Sequence, residues 1–295
     1  ERTANTDRHA LASLMVGEDI QPPQISEPQS GQMNFELTEV SASGIGTGAA
    51  LKDISLQLRA GEITGLAGVS GNGQAALAAL IAGTLSPNAG SIRINGAAVR
   101  NWSPRSALGH KIGRIPEDRH AVGMIGDMSV TENVISERYL SARFSRLGFL
   151  NWSAARRFAE SIISDFDVKC PSPEARVRLL SGGNMQKLIL GRALDGDPQI
   201  ILASQPTRGL DVGAVSYVHG QLLAARARGA AILLISEDLD EVMTLSDRLI
   251  VMSKGRLSSP SKRGARSIAE LGTLMAGHGF DSTTDGLAGE AGHAA

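Results

Sequence analysis

The stretch that most constrains this chain is GVSGNGQAAL, residues 68–77. It follows an apolar run, ITGLA (63–67), with the composition of a buried strand. It leads into AALAALIAGTL (75–85), which has the composition of a helix. A strand, a glycine-rich turn and a helix in succession aim backbone N–H groups and a helix dipole at one point, where an anion can sit. The residues obey the phosphate-loop pattern G-x-x-x-x-G-K-[ST] until the lysine is due, and there offer Gln74 and then Ala75. Three readings stay open on this evidence: a glycine cluster required by a tight turn, a working nucleotide site, or a cradle that has lost its chemistry.

The rest of the chain supplies context. FELTEV (35–40) and ISLQL (54–58) alternate as half-exposed strands do. IILAS (200–204), AILLIS (231–236) and RLIVM (248–252) are continuous apolar runs of the kind that parallel strands buried on both faces show. Helical patterns separate them, so the expected class is α/β with a doubly wound sheet. Residues 129–194 read as a helical insertion. The polar, proline-rich stretch 18–32 reads as a linker, residues 33–278 as the folded domain, and the Gly/Ala/Ser/Thr-rich tail 279–295 as flexible.

ALASLMVG (10–17) resembles ELGTLMAG (270–277), with Leu, Leu, Met and Gly in register. If the second copy closes the domain, the first closes a preceding module, and residues 1–17 are the end of an upstream copy. The alternative is a pair of similar amphipathic helices.

Composition narrows the function. A net charge of -1 in 295 residues gives no electrostatic reason for a nucleic-acid partner. The lone Cys170 forms no internal disulfide, and the six histidines lack metal-ligand spacing. No apolar run approaches the roughly 20 residues that cross a bilayer.

LSGGNMQKLILGRAL (180–194) opens on a serine suited to cap a helix, Ser181, and two glycines that allow close approach to the backbone. Taken with the loop upstream and PTRGLDVG (206–213) downstream, it resembles the signature of ATP-binding cassette (ABC) proteins, over about residues 35–275. GRIPEDRHAVGMIGDMSVTENV (113–134) further resembles the second cassette of ATPases that drive simple-sugar and nucleoside importers.

The resemblance implies a P-loop NTPase cassette with an antiparallel β subdomain and an inserted helical subdomain. It implies ATP at Gly68, Ser70, Gly71, Asn72, Gly73, Gln74 and Ala75, and a signature (Leu180, Ser181, Gly182, Gly183, Asn184) that completes the site of a facing cassette in trans. Asp211 matches the D-loop that links the two sites, and Glu117 stands at the Q-loop position. The departures form a set. Gln74 replaces the phosphate lysine and Ala75 the metal-holding hydroxyl. Ser204 and Gln205 stand at the metal-linked acid and the general base, and Glu237 at the switch histidine. No aromatic stands in SASGIGTGA (41–49), where the family often stacks the adenine.

A charge-assisted phosphate contact is worth about 1.5–3 kcal/mol, and several are missing together. The expectation is a complementing half: a degenerate site of its own and an intact signature for an N-terminal cassette of the same polypeptide, where Mg²⁺ is mainly expected. Further implied partners are transmembrane permease subunits and, indirectly, a solute-binding protein, with no nucleic acid. The implied place is the cytoplasmic face of the plasma membrane. A non-transport ABC ATPase and a regulatory nucleotide-binding module are the alternatives.

Overall fold

The computed structural model describes residues 31–280, and two sheets organise them. The repeat copy at 10–17, most of the linker and the tail beyond 280 lie outside the described residues.

In chain order the elements are β1 (Met33–Ala42), β2 (Leu51–Arg59), β3 (Ile63–Ala67), α1 (Gln74–Ile81), β4 (Ala89–Ile94), β5 (Ala97–Val99), α2 (Pro104–Gly109) and β6 (Ile112–Ile115). Between β6 and the next core strand come a π-helical turn (Arg119–Gly123), α3 (Val130–Ile135), a small hairpin of β7 (Ser145–Arg146) and β8 (Phe149–Leu150), α4 (Trp152–Asp165), a 3-10 turn (Val177–Leu179) and α5 (Gly182–Leu194). The chain closes with β9 (Ile200–Ser204), α6 (Val212–Ala227), β10 (Ala231–Ser236), α7 (Leu239–Leu245), β11 (Arg248–Ser253), β12 (Arg256–Leu257), β13 (Ser261–Lys262) and α8 (Ile268–Met275).

The larger sheet runs β12-β11-β3-β10-β9-β6, with β13 also pairing β11, and its strands β11, β3, β10, β9 and β6 are parallel. The smaller sheet, β2-β1-β4-β5, is antiparallel. This is the α/β cassette expected from the sequence.

Every residue of β3, β9 and β10 is buried, because layers cover both faces of the large sheet. Alternate residues of each strand feed different cores, as the two-residue period requires. Ile201, Ala203, Ile232 and Leu234 join the core beneath α3–α5 and α6. Ile200, Leu202, Leu233 and Ile235 join the core that holds α1 and the antiparallel sheet. Helix α1 and the inserted helices therefore lie on opposite sides of one sheet.

Two buried polar fastenings fix the ends of the strands. Asp247 accepts two bonds of 2.8 Å from Arg226, one of 3.0 Å from Arg263 and one of 2.9 Å from the Ile63 amide, joining α6, β13 and the start of β3. Gln186 on α5 donates to the Pro206 carbonyl at 2.7 Å, tying that helix to the loop after β9.

Candidate functional site

The loop between β3 and α1 takes its shape from glycine. Gly71 (φ 84°) and Gly73 (φ 118°) adopt a left-handed backbone that L side chains avoid. Neighbours hold the loop from outside. Lys254 N–H donates to Asn72 Oδ1 and Gly255 N–H to the Asn72 carbonyl, both at 2.8 Å. The Ala49 amide reaches the Gly71 carbonyl at 2.9 Å.

Inside the loop, one acceptor gathers three donors. The Val69 carbonyl receives Gln74 Nε2 at 2.9 Å, Asn72 Nδ2 at 3.0 Å and the Asn72 amide at 3.3 Å. The Asn72 amide, expected to face a ligand, is thus engaged within the turn. Gln74 folds back over Gly68, where a Cβ would stand 2.6 Å from Nε2.

A cavity of about 360 Å³ opens beside the loop. Gly68, Ser70, Gly71 and Gln74 form one edge, and Ala75, Ala78, Ala79 and Ala82 of α1 form an apolar wall. Ser204 and Gln205 reach it from the end of β9, Glu237 from the end of β10, and Glu117 and Asp118 from the loop after β6. The sequence-predicted loop and Ser204, Gln205 and Glu237 are therefore brought around one space.

Gln205 sits at φ 47° and accepts the Glu237 amide at 3.3 Å, coupling the ends of two parallel strands. No lysine lines the cavity; its one cationic residue among the described lining is Arg114, 3.6 Å from Glu137. The amides of Ala121 and His120 hold the Asp118 carboxyl below the usual carboxylate range. Glu117 pairs with Arg208.

Beyond Gln205 a second space of about 530 Å³ holds a network that the sequence reading did not single out. Glu241 on α7 accepts Thr207 Oγ1 at 2.7 Å and contacts His219 Nε2 on α6 at 2.9 Å. Burial alone would raise its pKa; hydrogen bonds from His219, Ser236 and Thr207 outweigh burial and leave it lowered. The three connected residues are separated by 22 and 34 positions, so no local motif announces them.

Ser181 caps α5, its hydroxyl accepting the Asn184 amide at 3.4 Å and Asn184 Nδ2 at 2.9 Å. Asn184 Oδ1 in turn accepts the Lys169 amide at 2.7 Å. Residues 180–184 line neither cavity. Ser181, Gly182 and Asp211 are exposed, Gly183 and Asn184 half-buried, and Leu180 is buried. Asp211 caps α6 through the Ala214 amide at 2.9 Å.

A family model described as ABC transporter matches residues 51–208. The guanosine import ATP-binding protein NupO of Bacillus subtilis (strain 168) is 39% identical over 277 residues, which are 92% of this chain and 54% of that protein. The glucose import ATP-binding protein TsgD13 of Haloferax volcanii is 36% identical, over 96% of this chain and 52% of that protein. The chain spans about half the length of these curated relatives.

Among solved structures, a nucleotide-free ATP-binding cassette from an ABC transporter superposes with a TM-score of 0.64 at 22% identity, covering 79% of this chain and 92% of that one. A dimeric cassette in a post-hydrolysis state bound to ADP and phosphate superposes with a TM-score of 0.65 at 22% identity, covering 79% and 100%. At that identity the likeness speaks for the fold.

Proposed function

The chain belongs to the ABC transporter family, and from that premise we propose that it is the second, degenerate cassette of a tandem importer ATPase. One observation carries the reading. Around a single cavity stand a glycine cradle and, where the family places its phosphate lysine, metal-linked acid and general base, the uncharged Gln74, Ser204 and Gln205. Relatives about twice as long as the matched span, named for guanosine and glucose import, support a companion cassette and a sugar or nucleoside as the solute.

ATP fits the cradle through backbone amides and the start of α1. Magnesium does not fit the donors offered here. Ala75 has no hydroxyl, and Ser204 and Gln205 bring no carboxylate to the end of β9. Gln205 has no carboxylate to take a proton, and its side-chain oxygen already accepts the Glu237 amide. The site's contribution to hydrolysis is indirect. Ser181 and the amides after it stand at an exposed helix start, free to close over the phosphates of a facing cassette, where Mg²⁺ and turnover belong. Transmembrane permease subunits, a solute-binding protein behind them and a place on the cytoplasmic face complete the proposal.

Mutations in the full-length protein test it. Ser181→Arg puts bulk and charge against the partner's γ-phosphate and abolishes transport; Gln205→Ala leaves it nearly unchanged. Equal damage from both would overturn the assignment.

A further inference from the structure

Five large apolar side chains left exposed in the helical insertion lie close together in sequence: Tyr139 (47%), Leu140 (66%), Leu147 (90%), Phe149 (80%) and Trp152 (53%). They fall within residues 138–157, which hold Arg138, Arg143, Arg146, Arg156 and Arg157 and no aspartate or glutamate. In a chain of net charge -1 this is a local reversal of composition.

The fold turns part of the segment into a prong. Ser145 pairs with Leu150 and Arg146 with Phe149, and Leu147 and Gly148 make the turn, both at positive φ. Cross-strand partners point to the same face, so Arg146 and Phe149 project together. The base is anchored: the Asn151 amide bonds the Phe144 carbonyl at 2.8 Å, and Phe144 is buried with its ring 5.3 Å from that of Phe158. The Arg143 guanidinium lies 4.4 Å from the Phe158 ring centroid.

The arginines divide into two groups. Arg138 is committed to Asp195, and Arg156 to Glu160 and Glu174. Arg146 and Arg157 form no ion pair among the described residues; Arg157 bonds only the Ser153 hydroxyl, at 2.6 Å. An exposed tip of leucine and phenylalanine, a tryptophan at its root and arginines without ion pairs match the boundary between acyl chains and anionic headgroups. They match a protein partner less well, because a stable interface buries about 800 Å² per side and a hairpin of two-residue strands offers no such area.

We infer that the β7–β8 hairpin, with Trp152, is a contact point for an anionic lipid surface. The inference does not need the tandem-importer reading, since a bare bilayer and this chain suffice to test it.

The experiment is flotation of the 295-residue chain with vesicles of phosphatidylcholine alone and with vesicles of phosphatidylcholine and phosphatidylserine. The chain floats with the anionic vesicles and far less with the neutral ones. Leu147→Asp/Phe149→Asp and Arg146→Glu/Arg157→Glu each cut the bound fraction about tenfold. Arg93→Glu/Arg100→Glu, on the exposed antiparallel sheet, leaves it unchanged. All these positions are solvent-exposed, and circular dichroism confirms that each variant is folded. No binding to anionic vesicles, or equal binding by the hairpin variants, overturns the inference. So does a hairpin-dependent dimer or hairpin-dependent capture of a permease without lipid binding, which would assign the prong to a protein partner.

Discussion

Arg208 reaches across from the loop after β9 to pair with Glu117 in the loop after β6, while Arg119 Nη2 donates back to the Arg208 carbonyl at 2.6 Å. The two loops that flank the cavity mouth are thereby clasped by exposed groups, with Arg208 62% and Glu117 45% accessible. Exposed pairs contribute little to global stability, about 0–1 kcal/mol. Arg208→Ala should leave the urea unfolding free energy nearly unchanged and instead raise amide hydrogen exchange in residues 117–121. A large loss of global stability would show that the clasp does more than order the loops.

The buried Glu241 predicts acid sensitivity. Its folded pKa lies below the ordinary value of 4.5, so its stabilisation is fully present above that value and is lost as pH falls through the folded pKa. Glu241→Gln should flatten the acid limb of a melting-temperature profile and change its neutral plateau less. An acid limb identical to that of the parent chain would contradict the hydrogen-bond account.

Gly255 and Gly96 provide a matched pair. Both have positive φ, but a Cβ at Gly255 would lie 1.7 Å from the Ala50 carbonyl, and one at Gly96 would meet nothing within 4 Å. Gly96→Ala should cost about 1–2 kcal/mol for the left-handed backbone alone. Gly255→Ala should cost about 3 kcal/mol or more, since the hairpin that braces Asn72 must also shift. Denaturant titration of the two variants checks the difference.

Ser70 is the better probe of what the cradle retains. It lines the cavity at an ordinary φ, whereas a Cβ at Gly73 would sit 3.2 Å from Met252 Sδ and strain the loop itself. On the proposed tandem reading, Ser70→Asp should repel phosphate and lower equilibrium binding of labelled ATP in the full-length protein with the companion cassette's site blocked. Gln74→Ala should leave binding nearly intact, because the backbone amides remain and both Asn72 donors still hold the Val69 carbonyl. Equal binding in both variants would make the loop a structural relic.

Much of this architecture is legible from the sequence, for identifiable reasons. IILAS and AILLIS are apolar up to their closing serines because both of their faces are covered, and Ser181 caps its helix as its position before two glycines implies. The hairpin at 145–150 is not legible: strands of two residues carry no period, and Leu147 turns at a φ that its side chain disfavours. Gln205 at φ 47° is equally silent, since its amide is held by the Ile235 carbonyl at 2.7 Å, thirty residues away in sequence. The β4–β5 turn is different: Asn95–Gly96 is a strong hairpin signal that sequence reading can use. The Glu241 network depends on three segments that only the folded sheet brings together.

The three donors on the Val69 carbonyl have a historical consequence. A loop folded by its own amides keeps its form whether or not anything charged rests in it, so form and reactivity can be lost on separate clocks. On the degenerate-cassette reading proposed above, Gln74→Lys removes one of those three donors and leaves both from Asn72, so Ala75→Ser and acids at Ser204 and Gln205 would be added to a loop still held by its own residues.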